Sequence, residues 1–223
     1  YKAEKAETEA EKKAETQKEQ TMADASIIYK SFNNDKEVAS TAFVSNNAAD
    51  KLSIESDSSS EHKNYVKFAP EDASGSRSAY MQFGNIILPD SYIVEFDSKL
   101  SAGNKDESQL ALATSDYKAA NCEQTNGKLN VNNKLKDEAY LWSLNTTNST
   151  KWSVSGGSSA KASDEIFIDI KKDTWVHFKT TVNKADKIVK LNISDEDGHE
   201  LLSKSFEMEN ISDVKGLFLL SGR

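Results

Sequence analysis

Two acidic residues at strand spacing, Glu95 and Asp97, are the first candidates for chemistry in this sequence. Hydrolysis of a glycosidic bond usually needs two carboxyl groups that flank the bond, about 5–10 Å apart. Because the two residues are separated by one position in an alternating segment, a β-strand would place both on one face. They are either a catalytic pair or solvated residues on an outer sheet. The second interpretation is favoured, because Leu100 stands where a further acid would extend the catalytic pattern.

Other catalytic patterns are missing from the sequence. The three histidines, His62, His177 and His199, are scattered and do not have the spacing of zinc ligands. There is no Gly-x-Ser-x-Gly nucleophile motif, and the single cysteine, Cys122, lies in a polar segment without a histidine nearby. We therefore expect no catalytic residues.

An acidic turn at residues 195–198 is a candidate for binding calcium. Its sequence, Asp-Glu-Asp-Gly, supplies the carboxylate oxygens that calcium prefers, but it lacks the twelve-residue frame of an EF-hand loop. The Asp-Gly dipeptide is also typical of a β-hairpin turn. The hairpin is the favoured interpretation, and a structural calcium ion stays a candidate cofactor whose ligands are unassigned.

Aromatic residues beside amides indicate a sugar site. Sugar rings stack on Trp and Tyr, whose flat rings combine an apolar face with a polar edge, and sugar hydroxyls hydrogen-bond with amides. Tyr140 and Trp142 share one face of an alternating segment, and Trp152 follows in the polar segment 145–163, which we predict to be a loop. Alternatively, Trp142 fills the core and Trp152 anchors the loop. The predicted carbohydrate-binding residues are Trp142, Trp152, Tyr140, Asn145, Asn148 and Tyr117.

Short β-strands must position these residues. From residue 27 onward, apolar and polar residues alternate in short segments that are bounded by Ser, Gly, Pro and Asn. Such closely spaced segments are typical of an antiparallel two-sheet β-sandwich. We predict strands at residues 27–32, 65–68, 79–83, 92–97, 109–113, 139–144, 166–170, 174–182, 187–194, 200–206 and 214–220.

The first residues have a different composition. Residues 1–21 are almost wholly Ala, Glu, Lys, Thr and Gln, which form helices well apart from Thr, and their alanines fall along one side of a helix. This pattern indicates a solvated linker helix of a longer polypeptide, or a thin seam for helix association. We divide the chain into a charged helical or disordered arm, 1–25, and a β-sandwich binding domain, 26–223.

The charge balance excludes two classes of partner. The chain has a formal net charge of −8 and a pI of about 5.1. Nucleic-acid binding without sequence preference needs clustered Lys and Arg, as does docking on an anionic membrane. No window approaches the ~18 consecutive apolar residues of a membrane span. We therefore expect neither nucleic-acid binding nor membrane insertion.

The chain resembles the concanavalin-A-like lectin/glucanase superfamily, most clearly in its C-terminal third. The resemblance rests on Trp175-Val176-His177 within residues 173–179, the strand 188–191, the turn 195–198 and the final strand 214–220, together with the earlier segments 64–68, 77–83 and 93–97. It implies a jelly roll of two sheets, as in laminin-G-like domains and carbohydrate-binding modules, with Trp175 as the structural tryptophan of the fold. It covers about two-thirds of the chain, and its motifs carry fold more than function.

These observations favour a non-catalytic carbohydrate-binding module of a secreted or cell-surface bacterial protein. It would tether a longer polypeptide to a polysaccharide, with a slight preference for a starch-type α-glucan. One alternative is a glycanase or polysaccharide lyase that uses Glu95 and Asp97. Another is a structural or adhesive surface domain whose partner is a protein.

Overall fold

The structure is a computed structural model that describes residues 8–24, 27–46, 51–57, 61–69, 77–101, 107–116, 124–125, 128–129, 139–147, 151–157 and 166–221. These residues form helix α1 (Glu9–Asp24), a 3₁₀ helix (Val38–Thr41) and a series of β-strands. The strands are β1 (Phe43–Asn46), β2 (Leu52–Ser56), β3 (Asn64–Phe68), β4 (Arg77–Gln82), β5 (Ser91–Lys99), β6 (Glu107–Ala113), β7 (Gln124–Thr125), β8 (Lys128–Leu129), β9 (Tyr140–Thr147), β10 (Lys151–Gly156), β11 (Ile166–Asp169), β12 (Trp175–Asn183), β13 (Ile188–Ser194), β14 (Glu200–Glu207) and β15 (Gly216–Ser221).

Two antiparallel sheets pack face to face, so the predicted all-β sandwich is confirmed. A seven-stranded sheet has the order β1-β4-β15-β6-β9-β10-β11, and a four-stranded sheet has the order β14-β13-β12-β5. Two short antiparallel pairs, β2-β3 and β7-β8, complete the described strands. The described helices include none that is long and apolar enough to cross a bilayer.

The core lies between the two sheets and follows from residue alternation. In β12, Val176, Phe178, Thr180 and Val182 are buried, whereas the residues that alternate with them are partly exposed. In β5, Tyr92 faces inward and its neighbour Ile93 is 56% exposed on the outer face. This two-residue period lets each strand bury one face and hydrate the other.

Trp142 joins the two sheets at the centre of the core. Its indole Nε1–H donates a hydrogen bond of 2.8 Å to Thr180 Oγ1 on the facing sheet. Its ring stacks at 5.7 Å from Phe178 and at 6.3 Å from Phe96. A buried indole N–H needs an acceptor, and Thr180 provides one inside the core.

The predicted strands from residue 65 onward are confirmed, with bounds that differ by a few residues. The strand predicted at 27–32 is wrong: these residues form no strand, and Phe32 has φ 61°, a left-handed backbone that a strand cannot contain. The loop predicted at 145–163 is also partly wrong, because it contains β10. Trp152 and Val154 of β10 alternate inward between serines, which obscured the pattern.

Helix α1 is a polar helix. Thr8 and Glu11 form a capping box: Thr8 N–H donates to Glu11 Oε2 at 2.8 Å, and Glu11 N–H donates to Thr8 Oγ1 at 3.2 Å. The hydrogen bond from the Thr8 backbone lowers the pKa of Glu11. Ala10 and Ala14 are exposed, so this part of the alanine side faces solvent.

Candidate functional site

The two tryptophans of the predicted sugar platform lie in the core. Trp142 is 0% exposed and Trp152 is 2% exposed, and both belong to the cluster between the sheets. A ring that stacks on a sugar must present a free face, and neither ring has one. The platform of Trp142 and Trp152 is therefore corrected to two core residues, because alternation in β9 and β10 directs both rings inward.

Tyr140 is also buried, but on the other side of the seven-stranded sheet. It packs with Tyr80 and Phe218 in a second buried cluster, away from Trp142. The reason is a β-bulge: Leu112 pairs with Trp142 and Ala113 pairs with Tyr140, which leaves Leu141 as an extra residue. The prediction that Tyr140 and Trp142 share a face is wrong for this reason. The other two predicted site residues, Asn148 and Tyr117, lie outside the described residues.

Asn145 lies in a row of side chains on the outer face of the seven-stranded sheet. The strand register places Gln109 of β6 opposite Asn145 of β9, Asn145 opposite Ser153 of β10, and Ser153 opposite Phe167 of β11. Directly paired residues point to the same face of a sheet. We call these four residues the polar row: Gln109, Asn145, Ser153 and Phe167.

Hydrogen bonds fix the amides of the polar row. Ser143 Oγ accepts one bond of 2.8 Å from Gln109 Nε2 and another of 2.8 Å from Asn145 Nδ2. Asn145 Oδ1 is buried and accepts no hydrogen bond from the residues that the structure describes. A buried acceptor without a donor costs about 1–3 kcal/mol. The row thus holds an oriented, buried carbonyl oxygen.

Phe167 supplies an aromatic surface at the end of the polar row. Its ring is 56% exposed on β11, the edge strand of the sheet, and Lys151 Nζ lies 5.5 Å from the ring centroid. Two strand spacings separate Asn145 from Phe167, about 10 Å. The sequence offered a signal for Phe167, since it lies between Ile166 and Ile168, which face inward. It offered none for Gln109 or Ser153.

The other half of this outer face is apolar and buried. Tyr80 and Phe218 lie there on neighbouring strands, and a Cβ atom at Gly216 would come within 2.2 Å of the Tyr80 ring, so this position needs glycine. Tyr80 donates its hydroxyl to the Ser115 carbonyl oxygen at 2.6 Å, and burial raises the pKa of Tyr80. The polar row therefore borders a buried apolar cluster that includes Tyr80, Tyr140 and Phe218, which we call the apolar floor.

Glu95 and Asp97 lie on the outer face of the four-stranded sheet. Asp97 accepts hydrogen bonds from His177 Nδ1 at 2.6 Å and from His62 Nε2 at 2.8 Å. Glu95 Oε2 lies 3.8 Å from His177 Nε2, and Glu95 Oε1 lies 3.7 Å from Lys179 Nζ. Both carboxylates are thus partly exposed members of an ion-pair network. This is the outer-sheet interpretation of the pair, with histidine partners that the sequence did not predict.

Trp175 lies on this same outer face. His62 stacks on its ring at 4.0 Å with an interplanar angle of 13°, Tyr65 meets it edge-on at 5.4 Å, and Lys99 Nζ lies 5.8 Å from it. Trp175 therefore packs the segment around His62 and β3 against the outer face of the four-stranded sheet. It does not lie between the two sheets.

The acidic turn after β13 is a hairpin turn, as predicted. Gly198 N–H donates to the Asp195 carbonyl oxygen at 3.0 Å, and Asp195 Oδ1 accepts from Asp197 N–H at 3.0 Å and His199 N–H at 2.8 Å. Burial raises the pKa of Asp195, but the bonds from His199 and Asp197 outweigh it and lower that pKa. Ligand-type atoms of Asp195, Asp197 and His199 lie within 4.8 Å of one another. They could hold a cation, although the turn already uses one Asp195 oxygen.

Comparison with known proteins gives matches among solved structures alone. No family model matches the sequence, and no curated protein matches it. Peanut lectin with a nine-residue peptide is 9% identical over 85% of this chain and 86% of its own, with a TM-score of 0.43. Sheep galectin-11 in complex with glycerol is 10% identical over 60% of this chain and 84% of its own, with a TM-score of 0.35. A sialidase is 9% identical over 67% of this chain, with a TM-score of 0.40, and this chain spans 11% of its length.

With TM-scores of 0.35 to 0.43 and identities of 9 to 10%, these matches carry no argument about superfamily or function. The fold itself is established by the strand order and by the core between the two sheets. What the chain binds has to be argued from its own residues.

Proposed function

We propose that this domain is a non-catalytic carbohydrate-binding module whose contact surface is the polar row. The observation that carries the proposal is Asn145 Oδ1, a buried acceptor that no described residue donates to, held in place by Ser143 beside Gln109. Buried polar groups in folded proteins are almost always satisfied, so an exception indicates a missing partner. A sugar hydroxyl is such a donor, and it reaches Oδ1 when the partly exposed Asn145 side chain turns this buried atom toward solvent.

The rest of the polar row fits the other parts of a sugar. The exposed ring of Phe167 can stack on the apolar C–H face of a pyranose, and Ser153 lies between it and Asn145 to exchange hydrogen bonds with hydroxyls. The row crosses four neighbouring strands, a length of about 14 Å at the usual strand spacing. This length suits a short stretch of a polysaccharide better than a single sugar.

The identity of the glycan is the next step of the proposal. The preference for a starch-type α-glucan depended on two exposed tryptophans, and both are buried. Starch therefore becomes one member of a panel of neutral and acidic polysaccharides. We place the module in a secreted or cell-surface bacterial protein of several domains, on the basis of its Asn-, Ser- and Thr-rich sequence and its charged arm. Calcium bound at Asp195 and Asp197 would be detected by running the panel with calcium and then with a chelator.

The non-catalytic part of the proposal is supported by the state of the acidic pair. Glu95 and Asp97 are on the outer face of the sheet opposite the polar row, and each carboxylate already has a cationic or histidine partner. A glycosidase needs one carboxyl group to protonate the leaving oxygen and another to attack or activate water. The two carboxylates lie partly exposed on a sheet face and are engaged by His62, His177 and Lys179.

Affinity electrophoresis in polysaccharide-loaded gels tests the site. Asn145→Ala and Phe167→Ala should each weaken retention by about 1–3 kcal/mol, as expected when a central contact is truncated. Asn192→Ala is the matched control for the amide, since Asn192 lies on the outer face of the other sheet. Ile93→Ala is the matched control for the apolar ring, because Ile93 is also 56% exposed.

The same variants are melted in parallel to separate binding from folding. Wild-type retention by a glycan, lost in the two polar-row variants and kept in the two controls at unchanged stability, supports the site. Equal retention by all four variants places the sugar contact elsewhere on the domain. Binding of a protein by wild type, with no retention by any glycan of the panel, favours the adhesive alternative.

A further inference from the structure

Three consecutive residues, His62, Lys63 and Asn64, connect the sandwich to the N-terminal arm. His62 donates to Asp97 and stacks on Trp175, both on the four-stranded sheet. The Lys63 ammonium forms an ion pair with Glu15 of α1. Asn64 Nδ2 donates to the carbonyl oxygens of Phe32 and Asn33, at 3.4 and 3.3 Å. Each residue of this tripeptide thus holds a different part of the chain.

The contacts that hold α1 are polar. Among residues 8–21, whose side chains the structure describes, Glu15 and Glu19 are the partly buried ones. They are four residues apart, so they lie on one side of the helix. Glu15 meets Lys63, and Glu19 accepts a hydrogen bond from Asn33 Nδ2. Residues 8–21 bury no apolar face, so this part of α1 depends on such contacts, because isolated helices of about 12–15 residues are marginal in water.

We infer that His62, Lys63 and Asn64 form a clamp that fixes α1 against the sandwich, and that ionic strength controls this clamp. Lys63 pairs with Glu15 of α1, and Asn64 holds the segment at Phe32 and Asn33, whose amide donates to Glu19 of α1. His62 holds the clamp on Trp175 and Asp97, so it acts as a positioning residue for the helix. Salt screens a partly exposed ion pair, whereas it leaves the apolar core between the sheets intact.

One end of the clamp lies away from the polar row. Trp175 and Asp97 are on the outer face of the four-stranded sheet, and the polar row is on the outer face of the seven-stranded sheet. The outer faces of a two-sheet sandwich point in opposite directions. The His62 end of the clamp is therefore on the layer opposite the polar row. This inference does not depend on what the polar row binds.

Hydrogen exchange of the α1 amides, measured by mass spectrometry on the full chain, tests the clamp. In 20 mM salt, Lys63→Gln and Glu15→Gln should each speed α1 exchange roughly two- to fivefold, as expected for loss of one exposed ion pair. The double variant should exchange no faster than either single variant, because both remove the same pair. His62→Ala should also speed α1 exchange, and His199→Ala, which changes an exposed histidine in a turn, should leave it unchanged.

A second comparison isolates the salt effect. Salt also weakens ion pairs within α1 itself, such as Glu9 with Lys13, and this effect is common to all variants. Raising the salt to 500 mM should therefore bring wild type close to Lys63→Gln, so that their difference disappears. Amides in β12 and β13 report whether a variant unfolds the sandwich.

Two results would overturn the clamp. The first is α1 exchange that is equal in wild type, Lys63→Gln and Glu15→Gln at low salt, since the pair would then not hold the helix. The second is unchanged α1 exchange in His62→Ala, which would remove the positioning role of His62. If His62→Ala destabilises β12 as well, Lys63→Gln and Glu15→Gln still decide whether the helix is held.

Discussion

The hydrogen bond between the two sheets gives the sharpest test of the core. Thr180→Val removes the acceptor Oγ1 and keeps a side chain of nearly the same shape, so the indole N–H of Trp142 loses its partner in a fully buried position. Leaving a buried donor unsatisfied costs about 1–3 kcal/mol. For a chain of this size the melting temperature should fall by roughly 2–12 °C.

The adjacent residue provides the control. Thr181 is half-buried on the outer face of β12, so Thr181→Val makes the same chemical change one position away. A surface substitution of this kind stays within about 0.5 kcal/mol of wild type. A large difference between the two variants therefore measures the bond across the core and not the intrinsic preference of Val for a strand.

A double-mutant cycle with Trp142→Phe completes the test. Once the indole N–H is absent, Thr180→Val no longer leaves an unsatisfied donor, so its cost should shrink by about 0.5–3 kcal/mol. The free energy of unfolding is measured by urea denaturation monitored by far-ultraviolet circular dichroism. An equal cost of Thr180→Val in both backgrounds would show that the bond contributes nothing, and the reasoning would fail.

Three further predictions concern separate parts of the chain. Burial raises the pKa of Tyr92 to about 12; since the unfolded chain releases this proton above about pH 10, stability should fall as the pH rises from 10 to 12, and Tyr92→Phe should flatten the decline in urea titrations. Deleting residues 1–21 should leave a cooperative melt within about 1 kcal/mol of wild type, because α1 is held by polar contacts; loss of the melt would show that the arm is part of the folding unit. Wild type should release neither reducing sugar nor unsaturated product from polysaccharides, and turnover that Glu95→Gln abolishes would establish the glycanase or lyase instead.

Much of the sheet framework could be predicted from alternation. Strands such as β12 and β13 bury every second residue. An alternation of apolar and polar residues in the sequence therefore predicts a strand with one face in the core. The strand predicted at residues 27–32 is wrong, because a short apolar segment is also compatible with conformations that do not pair into a sheet. The backbone at Phe32 turns into the left-handed region, which side-chain type does not reveal.

The candidate site could be predicted only in part. Asn145 was identified because its polar neighbourhood suits sugar hydroxyls, but its partners come from strands distant in sequence. Which residues stand beside it is determined by strand order and register, and local patterns do not contain that information. The prediction that Trp142 and Trp152 form a sugar platform is wrong for a related reason. Large rings beside polar residues are typical both of a sugar-binding surface and of a strand with one face in the core.

The β-bulge at Leu141 separates Tyr140 from Trp142. Without the extra residue, strict alternation would place Tyr140 on the same side as Trp142, between the sheets. The bulge lets Leu141 and Trp142 enter the main core while Tyr140 joins the apolar floor on the outer face. Beyond the bulge, regular alternation directs Ser143 and Asn145 outward, beside that floor. The bulge thus moves Tyr140 to the outer face, whereas Trp142 and the amide of Asn145 follow the regular alternation of the rest of β9.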